Sequence, residues 1–293
     1  MKHDKCSFSE MRRRFLRRAA LAPFLPLVQV QAAGQKEQAP VRFERVTGHR
    51  IQDEVRRAPL AILPLGSIEY HGPSGPAGTD SLIATGLAER LAARLGASLF
   101  PTIHYTHCPA HTAGFTGSVS MRPETVTAYF LDVLCGLVAT GFNRIFVLNG
   151  HDGNIGPARL AISQTTHDHN SAAILLVSWW ETLPGPLVDS LRLFDQPNGG
   201  HGHGGPLELS VAAAFAPESI EPGKGPDLPA LSGISDGFPY YLEKSKGRNW
   251  PGYSGKLSEI TASKGEKLVS IALDKLATLV RRWLADPEAP GSW

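Results

Sequence analysis

Potential metal ligands gather in one short segment, residues 62–80, where an apolar stretch gives way to a turn rich in glycine and proline. This turn carries Glu69, His71 and Asp80. Carboxylate oxygens and imidazole nitrogens are ligands that zinc, manganese and iron accept in hydrolytic sites. Because α/β proteins place their chemistry on loops at the carboxyl ends of parallel strands, this segment predicts a metal-dependent hydrolase.

Two further segments also place a histidine in a glycine-rich turn. Residues 144–154 form an apolar pattern that ends in Asn-Gly-His-Asp-Gly-Asn and contributes His151. Residues 201–210, His-Gly-His-Gly-Gly-Pro-Leu-Glu-Leu-Ser, contribute His203 and Glu208. A lone Glu-x-His pair is usually a solvated surface pair, but three segments of the same character favour metal ligation.

At these residues the chain resembles the creatininase (creatinine amidohydrolase) family. That family's pattern is a Gly-x-x-Glu-x-His-Gly turn with a downstream Asp, then Asn-Gly-His-x-x-Asn, then His-x-Gly-x-x-Glu-x-Ser. All three blocks occur here in the family's order. The resemblance extends over residues 41–284, and residues 114–118 are similar to a further family turn, Phe-Pro-Gly-Thr. It specifies the family strongly and the substrate weakly.

The resemblance implies a pair of divalent metal ions, which would be zinc, manganese or iron. Glu69, Asp80 and His151 would bind one ion, while His71, a further carboxylate and the bridging Asp80 would bind the other. Because a metal lowers the pKa of bound water towards about 7, a metal-bound hydroxide would attack the substrate's carbonyl carbon. His203 is the expected acid that protonates the departing nitrogen.

The chain departs from creatininase itself at two carboxylates. That enzyme carries a metal-binding Glu where this chain has Gly153, and a Glu where this chain has Gly202. In other branches of the family the Glu of the third block resembles a substitute ligand, and it corresponds to Glu208 here. Asp152 is the alternative ligand and otherwise a candidate substrate-binding residue.

Other roles stay open for several residues. Trp180 falls where creatininase has a tryptophan near its substrate, although an aromatic residue at a strand end serves packing as often. Asp80 immediately precedes an apolar helical pattern and could instead cap that helix. His104, His107 and His111 match no family pattern and are expected on the surface or along a pocket.

Alternating strand and helix patterns position these residues. Helical spacing of apolar residues predicts helices between residues 82 and 95, between 126 and 138, and from 264 to 285. Short apolar runs predict strands buried on both faces at residues 60–66, 98–103, 144–149 and 173–179. This alternation implies an α/β fold, a three-layer α/β/α sandwich with a mainly parallel central sheet. Residues 216–262, rich in proline and glycine, are expected to form a long ordered loop over the active site or a neighbouring subunit.

The amino terminus predicts export. Basic residues within 12–18 precede an apolar stretch at 19–30, and Val30-Gln-Ala32 supplies small residues at the spacing a signal peptidase recognises. Residues 1–32 resemble a twin-arginine signal peptide, which leaves residues 33–293 as one domain. The apolar stretch is shorter than the roughly 18 residues of a membrane-spanning helix, so we expect a periplasmic or secreted protein that is soluble after removal of the signal.

Charge and cysteine content narrow the classes of partner. The first 32 residues hold seven of the 29 Lys and Arg but only two of the 27 Asp and Glu, so the remaining chain is slightly acidic. Without a basic run outside the leader, neither nucleic acid nor a membrane is an expected partner. Cys108 and Cys135, the two cysteines outside the leader, are expected as thiols. The family resemblance suggests a homo-oligomer, often a hexamer.

Two classes of function follow. The first is an amidohydrolase that cleaves a non-peptide carbon–nitrogen bond in a small-molecule amide, either a cyclic amide or a formamide. The second is a non-catalytic, exported binding protein that kept the fold. Within the enzyme class, the alternative is a peptidase resembling the family members that trim peptide precursors.

Overall fold

The fold is described by a computed structural model that covers residues 39–193, 202–229 and 249–285. All of these residues fall in one unit of the chain, which begins at Glu37. The predicted signal peptide, residues 1–32, lies outside the described residues. So do His201 and residues 230–248 of the predicted loop.

A parallel sheet of five strands forms the centre of the described structure, in the spatial order β1-β3-β2-β4-β5. The strands are β1 Val41–Arg42, β2 Leu60–Leu65, β3 Ser98–Leu99, β4 Arg144–Asn149 and β5 Ala173–Ser178. β2 pairs with β4 along its whole length, from Leu60 opposite Arg144 to Leu65 opposite Asn149. Because the strand order reverses between β2 and β4, their carboxyl ends flank the crevice where such sheets bind ligands.

Helices cover both faces of this sheet. In chain order they are α1 Ile51–Arg57, α2 Thr79–Leu95, α3 Ala110–Ala113, α4 Pro123–Thr140, α5 Ile155–Asp168, α6 Gly185–Ser190, α7 Pro206–Ala213 and α8 Ala262–Ala285. Helices α2, α7 and α8 pack on one face, and α4 and α5 pack on the other. The predicted three-layer α/β/α sandwich with a parallel sheet is confirmed.

Successive side chains of β2 enter two separate hydrophobic clusters, because neighbouring residues of a strand point to opposite faces. Leu60 and Ile62 join the cluster beneath α2 and α8. Ala61, Leu63 and Leu65 join the cluster beneath α4 and α5. β4 divides its side chains in the same way, which explains why both strands are continuously apolar rather than alternating.

The strand predictions hold in full for β2 and β4 and in part for β3 and β5. β3 ends at Leu99, because Pro101 lacks a backbone N–H. Beyond the hydrogen bond from the Phe100 N–H to the Ile62 carbonyl, the chain rejoins β2 at a bridge between Leu65 and Ile103. β5 was predicted to be buried on both faces but lies at the edge of the sheet, where five of its six residues are half-buried. β1, a strand of two residues, was not predicted.

The proline- and glycine-rich segment packs against the turn after β2, where the structure describes it. Tyr253 is buried and lies beside Gly72. Gly252 has φ +84°, and a Cβ atom there would lie 2.7 Å from the Tyr70 ring. This part of the segment is therefore ordered against the strand ends. Within residues 39–193, 202–229 and 249–285, no helix is long and apolar enough to cross a membrane.

Candidate metal centre

Two adjacent strands and one helix bring four predicted ligands together. The turn after β2 carries Glu69 and His71, the first turn of α2 carries Asp80, and the turn after β4 carries His151. Each of these residues is at most 4% exposed. They meet because the carboxyl ends of β2 and β4 are neighbours in the sheet.

Asp80 lies between two histidines. Its Oδ1 is 3.0 Å from His71 Nε2, and its Oδ2 is 2.9 Å from His151 Nδ1. Ser67 Oγ donates a hydrogen bond of 2.6 Å to Oδ2. Helix α2 is capped by Gly78, and Asp80 is its second residue, so the carboxylate faces the histidines rather than capping the helix.

Glu69 faces the same space from the other side. Its Oε2 lies 3.3 Å from His151 Nδ1 and 3.8 Å from His203 Nδ1. The buried Thr112 hydroxyl donates a short hydrogen bond to Oε1. One carboxylate oxygen is thereby fixed, and the other points into the centre.

Backbone carbonyl groups orient all three imidazole rings. His71 Nδ1 lies 2.9 Å from the Glu69 carbonyl oxygen, and His151 Nε2 lies 2.8 Å from the His107 carbonyl oxygen. His203 Nε2 lies 2.8 Å from the Tyr70 carbonyl oxygen. A carbonyl oxygen only accepts hydrogen bonds, so each of these nitrogens carries a proton. The opposite nitrogen of each ring then faces a carboxylate.

This arrangement fits a bound cation. In a neutral imidazole the nitrogen opposite the N–H holds a lone pair, and a lone pair facing a carboxylate oxygen at about 3 Å is repulsive. A proton or a metal ion must therefore lie between them. Backbone groups that fix the N–H of a histidine are also the usual second shell of metal-ligating histidines. The donor set of nitrogen and oxygen atoms suits zinc, manganese or iron.

Protonation balances the charges when no metal is bound. Burial alone would lower the pKa of His71, but the Asp80 carboxylate outweighs it and raises that pKa to about 10. Burial likewise disfavours charge on His151, yet Glu69 and Asp80 raise its pKa well above the usual value. Burial also opposes ionisation of Glu69, but His151 and His203 lower its pKa to about 2. A metal ion would displace protons from the two rings, so metal affinity should depend on pH.

Glu208 reaches the centre from the first turn of α7. Its Oε2 accepts a hydrogen bond of 2.7 Å from the Gly204 N–H and lies 3.8 Å from His71 Nε2. Burial and the nearby Asp80 charge raise its pKa to about 7. The potential ligand atoms of His71, Asp80 and Glu208 all lie within 4.8 Å of one another.

The structure keeps the alternative carboxylate apart. Asp152 is exposed and belongs to none of the groups of potential ligands found among the described residues. Gly153, where creatininase itself has its Glu, has no room for a side chain. A Cβ atom there would lie 2.3 Å from the His107 carbonyl oxygen and 2.5 Å from His151 Nε2. Glu208 is therefore the carboxylate that the fold brings to His71 and Asp80.

His203 differs from the other two histidines in its charge state. Burial lowers its pKa to about 4, although the Glu69 carboxylate opposes this shift. The ring is therefore neutral near pH 7, with Nε2 carrying the proton and Nδ1 facing Glu69. Its ring centroid lies 4.5 Å from that of His71, so His203 stands beside the predicted ligands.

The aromatic side chain beside His203 is that of Trp250, whereas the sequence singled out Trp180 as a residue near the substrate or in packing. Trp180 is half-buried after β5, 6.1 Å from the Trp179 ring, and packs against the hydrophobic core. The ring beside His203 belongs instead to Trp250, at 5.8 Å, which also lies 5.5 Å from His111. Trp250 stands in no motif, so no local signal could have identified it.

Thr112 and Cys108 were also missed as neighbours of the centre. Both lie in the segment between β3 and α4, near the turn that resembles Phe-Pro-Gly-Thr. Cys108 is 1% exposed, and burial together with the Glu69 charge raises the pKa of its thiol to about 12. The family-like turn was the one sequence signal that this segment approaches the site.

Known proteins are similar to most of this chain. The family model described as creatinine amidohydrolase (Creatininase) matches residues 44–280. The chain is 26% identical to the creatinine amidohydrolase of Pseudomonas putida over 76% of its own length and 88% of that protein. It is 26% identical to the mycofactocin precursor peptide peptidase of Mycobacterium tuberculosis over 79% of its length and 88% of that protein.

A shorter stretch of one relative and one solved structure are also similar to this chain. The chain is 35% identical to the 3-dehydro-scyllo-inosose hydrolase of Thermotoga maritima, but this match spans only 38% of the chain and 36% of that protein. The solved structure of a mutant creatininase of Zn-Zn type superposes with a TM-score of 0.70 at 22% identity, covering 84% of this chain and 98% of that one. This likeness shows a shared fold.

Proposed function

Because the chain belongs to the creatininase family of hydrolases, we propose that it is a metal-dependent amidohydrolase that opens a non-peptide carbon–nitrogen bond in a cyclic amide or a formamide. The sequence-based prediction of an enzyme, a creatinine amidohydrolase-like hydrolase, is confirmed. One observation carries the proposed metal dependence. Asp80 lies 3.0 Å from His71 Nε2 and 2.9 Å from His151 Nδ1, and both rings are held by backbone carbonyls.

Five residues would hold two divalent ions, and Asp80 would contact both. Glu69, Asp80 and His151 would hold one, and His71, Asp80 and Glu208 the other. When bound, the ions polarise a carbonyl group and make a nucleophile available from water near neutral pH. Among the solved relatives, one creatininase is of Zn-Zn type and another is described with Mn, so either ion is supported.

His203 would move the proton. Its Nε2–H is engaged by the Tyr70 carbonyl, so the exchangeable position is Nδ1, which faces Glu69. A neutral ring with a pKa of about 4 accepts a proton weakly and returns it readily. This behaviour suits the protonation of a departing amine, a basic leaving group.

Metal content per chain tests the proposal directly. We expect elemental analysis of protein purified without chelator to find about two ions, falling towards one in Glu208→Ala. Asp152→Ala is the matched control, because Asp152 is the neighbouring carboxylate outside the ligand groups. If no metal binds, even after reconstitution with zinc, manganese and iron, the proposal is wrong and a binding protein on this fold remains.

Turnover separates the enzyme from a binding protein. We expect hydrolysis in a panel of cyclic amides and formamides, with creatinine included, and loss of hydrolysis without loss of metal in His203→Ala. Hydrolysis of short peptides but of no panel member would instead favour the peptidase activity that the mycobacterial relative's name describes. Full activity in His203→Ala would exclude this histidine as the proton donor.

We also propose that the protein is exported to the periplasm or secreted, as the twin-arginine pattern of residues 1–32 predicts, and that it is a homo-oligomer. Replacing Arg12 and Arg13 together by lysine should retain the protein in the cytoplasm, as cell fractionation would show.

Light scattering of the mature protein would give its mass in solution. A monomer would contradict the expected oligomer, including the hexamer common in the family.

A further inference from the structure

The described residues contain three groups of potential ligands, which differ in their donor atoms. The group of His71, Asp80 and Glu208 and the group of Glu69, His71 and His203 offer only nitrogen and oxygen. Glu69 and His151 form another group with the sulfur of Cys108, and the three ligand atoms lie within 4.8 Å of one another. All three residues of this group are at most 4% exposed. A soft donor therefore lies on one side of the centre.

The loop that carries this sulfur is tied to the metal centre. The Cys108 N–H donates a hydrogen bond of 3.0 Å to Ser120 Oγ. The preceding carbonyl, that of His107, is the acceptor that orients the His151 ring. Thr106 Oγ1 donates a hydrogen bond of 3.0 Å to the Gly66 carbonyl, at the end of β2. The thiol is thus held beside His151 by fixed backbone contacts.

The position of this loop also explains why no carboxylate comes from the turn after β4. The His107 carbonyl occupies the space that a side chain at Gly153 would need. The thiol donates only a weak hydrogen bond of 3.6 Å to the Ile68 carbonyl. Burial and the Glu69 charge hold its proton in the metal-free protein. A cation held by Glu69 and His151 would offset that cost by binding the thiolate.

We propose that Cys108 is a metal ligand beside Glu69 and His151, and that it makes this half of the centre prefer zinc over manganese. On coordination the S–H bond breaks, a sulfur–metal bond forms, and the proton passes to solvent. Thiolate is a soft ligand that suits zinc, whereas carboxylate-rich sites accept manganese. The other half, His71 with Asp80 and Glu208, should accept either ion. The inference rests on the proposed function, because it requires that the centre binds metal.

Cobalt(II) is a suitable probe, because a sulfur ligand produces a near-ultraviolet charge-transfer band that nitrogen and oxygen ligands do not. We expect this band when metal-free protein is titrated with cobalt(II), and its loss in Cys108→Ser. Cys135→Ser is the matched control, since Cys135 lies in α4 and belongs to no ligand group among the described residues. Its titration should keep the band.

The outcomes separate this inference from the proposed function. Cobalt binding without the band would overturn the role of Cys108 and leave the metal centre intact. No cobalt binding would overturn both. In Cys108→Ser we further expect the zinc-to-manganese affinity ratio to fall by at least about tenfold, the scale of effect known for residues around metal ligands. An unchanged ratio would contradict the selectivity.

A variant that fails to fold would not leave the question open. Cys108→Ala should be compared with Cys108→Ser by circular dichroism and thermal unfolding before titration. If both unfold, X-ray absorption of the zinc-loaded native protein decides, because a sulfur ligand lies about 2.3 Å from zinc and nitrogen and oxygen ligands lie nearer, about 2.0–2.2 Å. Absence of the longer shell would overturn the proposal.

Discussion

Two buried carboxylates behave differently because their partners differ. One lies at the amino ends of the strands, called here the amino edge, and the other at the carboxyl ends, the carboxyl edge. At the amino edge, Glu54 accepts hydrogen bonds from Arg57 Nε at 2.7 Å and Ser98 Oγ at 2.8 Å. At the carboxyl edge, Asp80 faces nitrogens of His71 and a second histidine. Burial opposes ionisation of both carboxylates, and in both the neighbouring groups outweigh it and lower the pKa.

The side chain paired with each carboxylate decides whether that carboxylate can bind a metal ion. Arginine keeps its proton at any ordinary pH, so the Arg57–Glu54 pair is complete and serves stability. Imidazole can release its proton and then offers a lone pair, so the space between Asp80 and its histidines can take a metal ion. A buried carboxylate thus builds a structural pair at one edge and a ligand set at the other.

Removing the metal should produce the largest difference between the two edges. A ligand at about 1,000 times its Kd stabilises the folded state by about 4 kcal/mol. We expect a chelator to lower the free energy of unfolding of the native protein by this order and to leave Asp80→Ala unaffected. Denaturant unfolding with and without chelator measures it. Equal responses in both proteins would mean that Asp80 holds no metal.

Breaking the amino-edge pair should cost stability but no metal. In Glu54→Gln we expect the free energy of unfolding to fall by about 2 kcal/mol at pH 7, the scale for hydrogen bonds to charged groups. Metal content per chain should stay unchanged. A loss of metal in this variant would erase the distinction between the two edges.

The pH dependence of that cost has a definite sign. The pKa of Glu54 is lower in the folded protein than its usual value of 4.5. Its contribution is therefore present above the unfolded-state pKa and is lost as the pH falls through the folded-state pKa. In metal-free protein, the difference in unfolding free energy between native and Glu54→Gln should shrink as the pH is lowered from 7 to about 3. A difference that grows would contradict this sign.

Removing the support of one ligand should weaken metal binding at the carboxyl edge. Thr112→Val removes the hydroxyl that fixes Glu69 Oε1, and we expect metal affinity to fall by about 10- to 100-fold. Thr127→Val is the matched control, because its hydroxyl donates only to a carbonyl within α4. Competition with a metallochromic indicator gives both affinities. Equal affinities would mean that Glu69 needs no such support.

An exposed ion pair near the amino edge should contribute least to the free energy of unfolding. Arg56 and Asp53 form an ion pair with side chains that are 69% and 71% exposed. Solvent screens such pairs, so Arg56→Ala should change the free energy of unfolding by less than about 0.5 kcal/mol. Thermal unfolding beside Glu54→Gln gives the comparison. A cost equal to that of Glu54→Gln would show that burial is not what distinguishes the amino-edge pair.

The sequence predicted the burial of β2 and β4 correctly and that of β5 wrongly. β2 and β4 are buried on both faces, and their unbroken apolar runs indicate that directly. β5 has a similar run but lies at the edge, because the order of strands depends on long-range pairing that a local pattern does not contain. The pattern of apolar residues thus identified the strands but not their order in the sheet.

The sequence alone determined the family and six residues that the structure brings together: Glu69, His71, Asp80, His151, His203 and Glu208. It could do so because ligands in strand-end turns form local motifs, and parallel strands bring those turns to one edge.

Only the tertiary structure decided the remaining neighbours of the centre. Asp152 follows His151 in the chain yet is exposed, whereas the distant Glu208 reaches His71 from another helix. Cys108 and Trp250 also approach from segments without a ligand motif. Closeness along the chain does not determine closeness in space, because packing of the loops over the sheet decides which side chains enter the crevice.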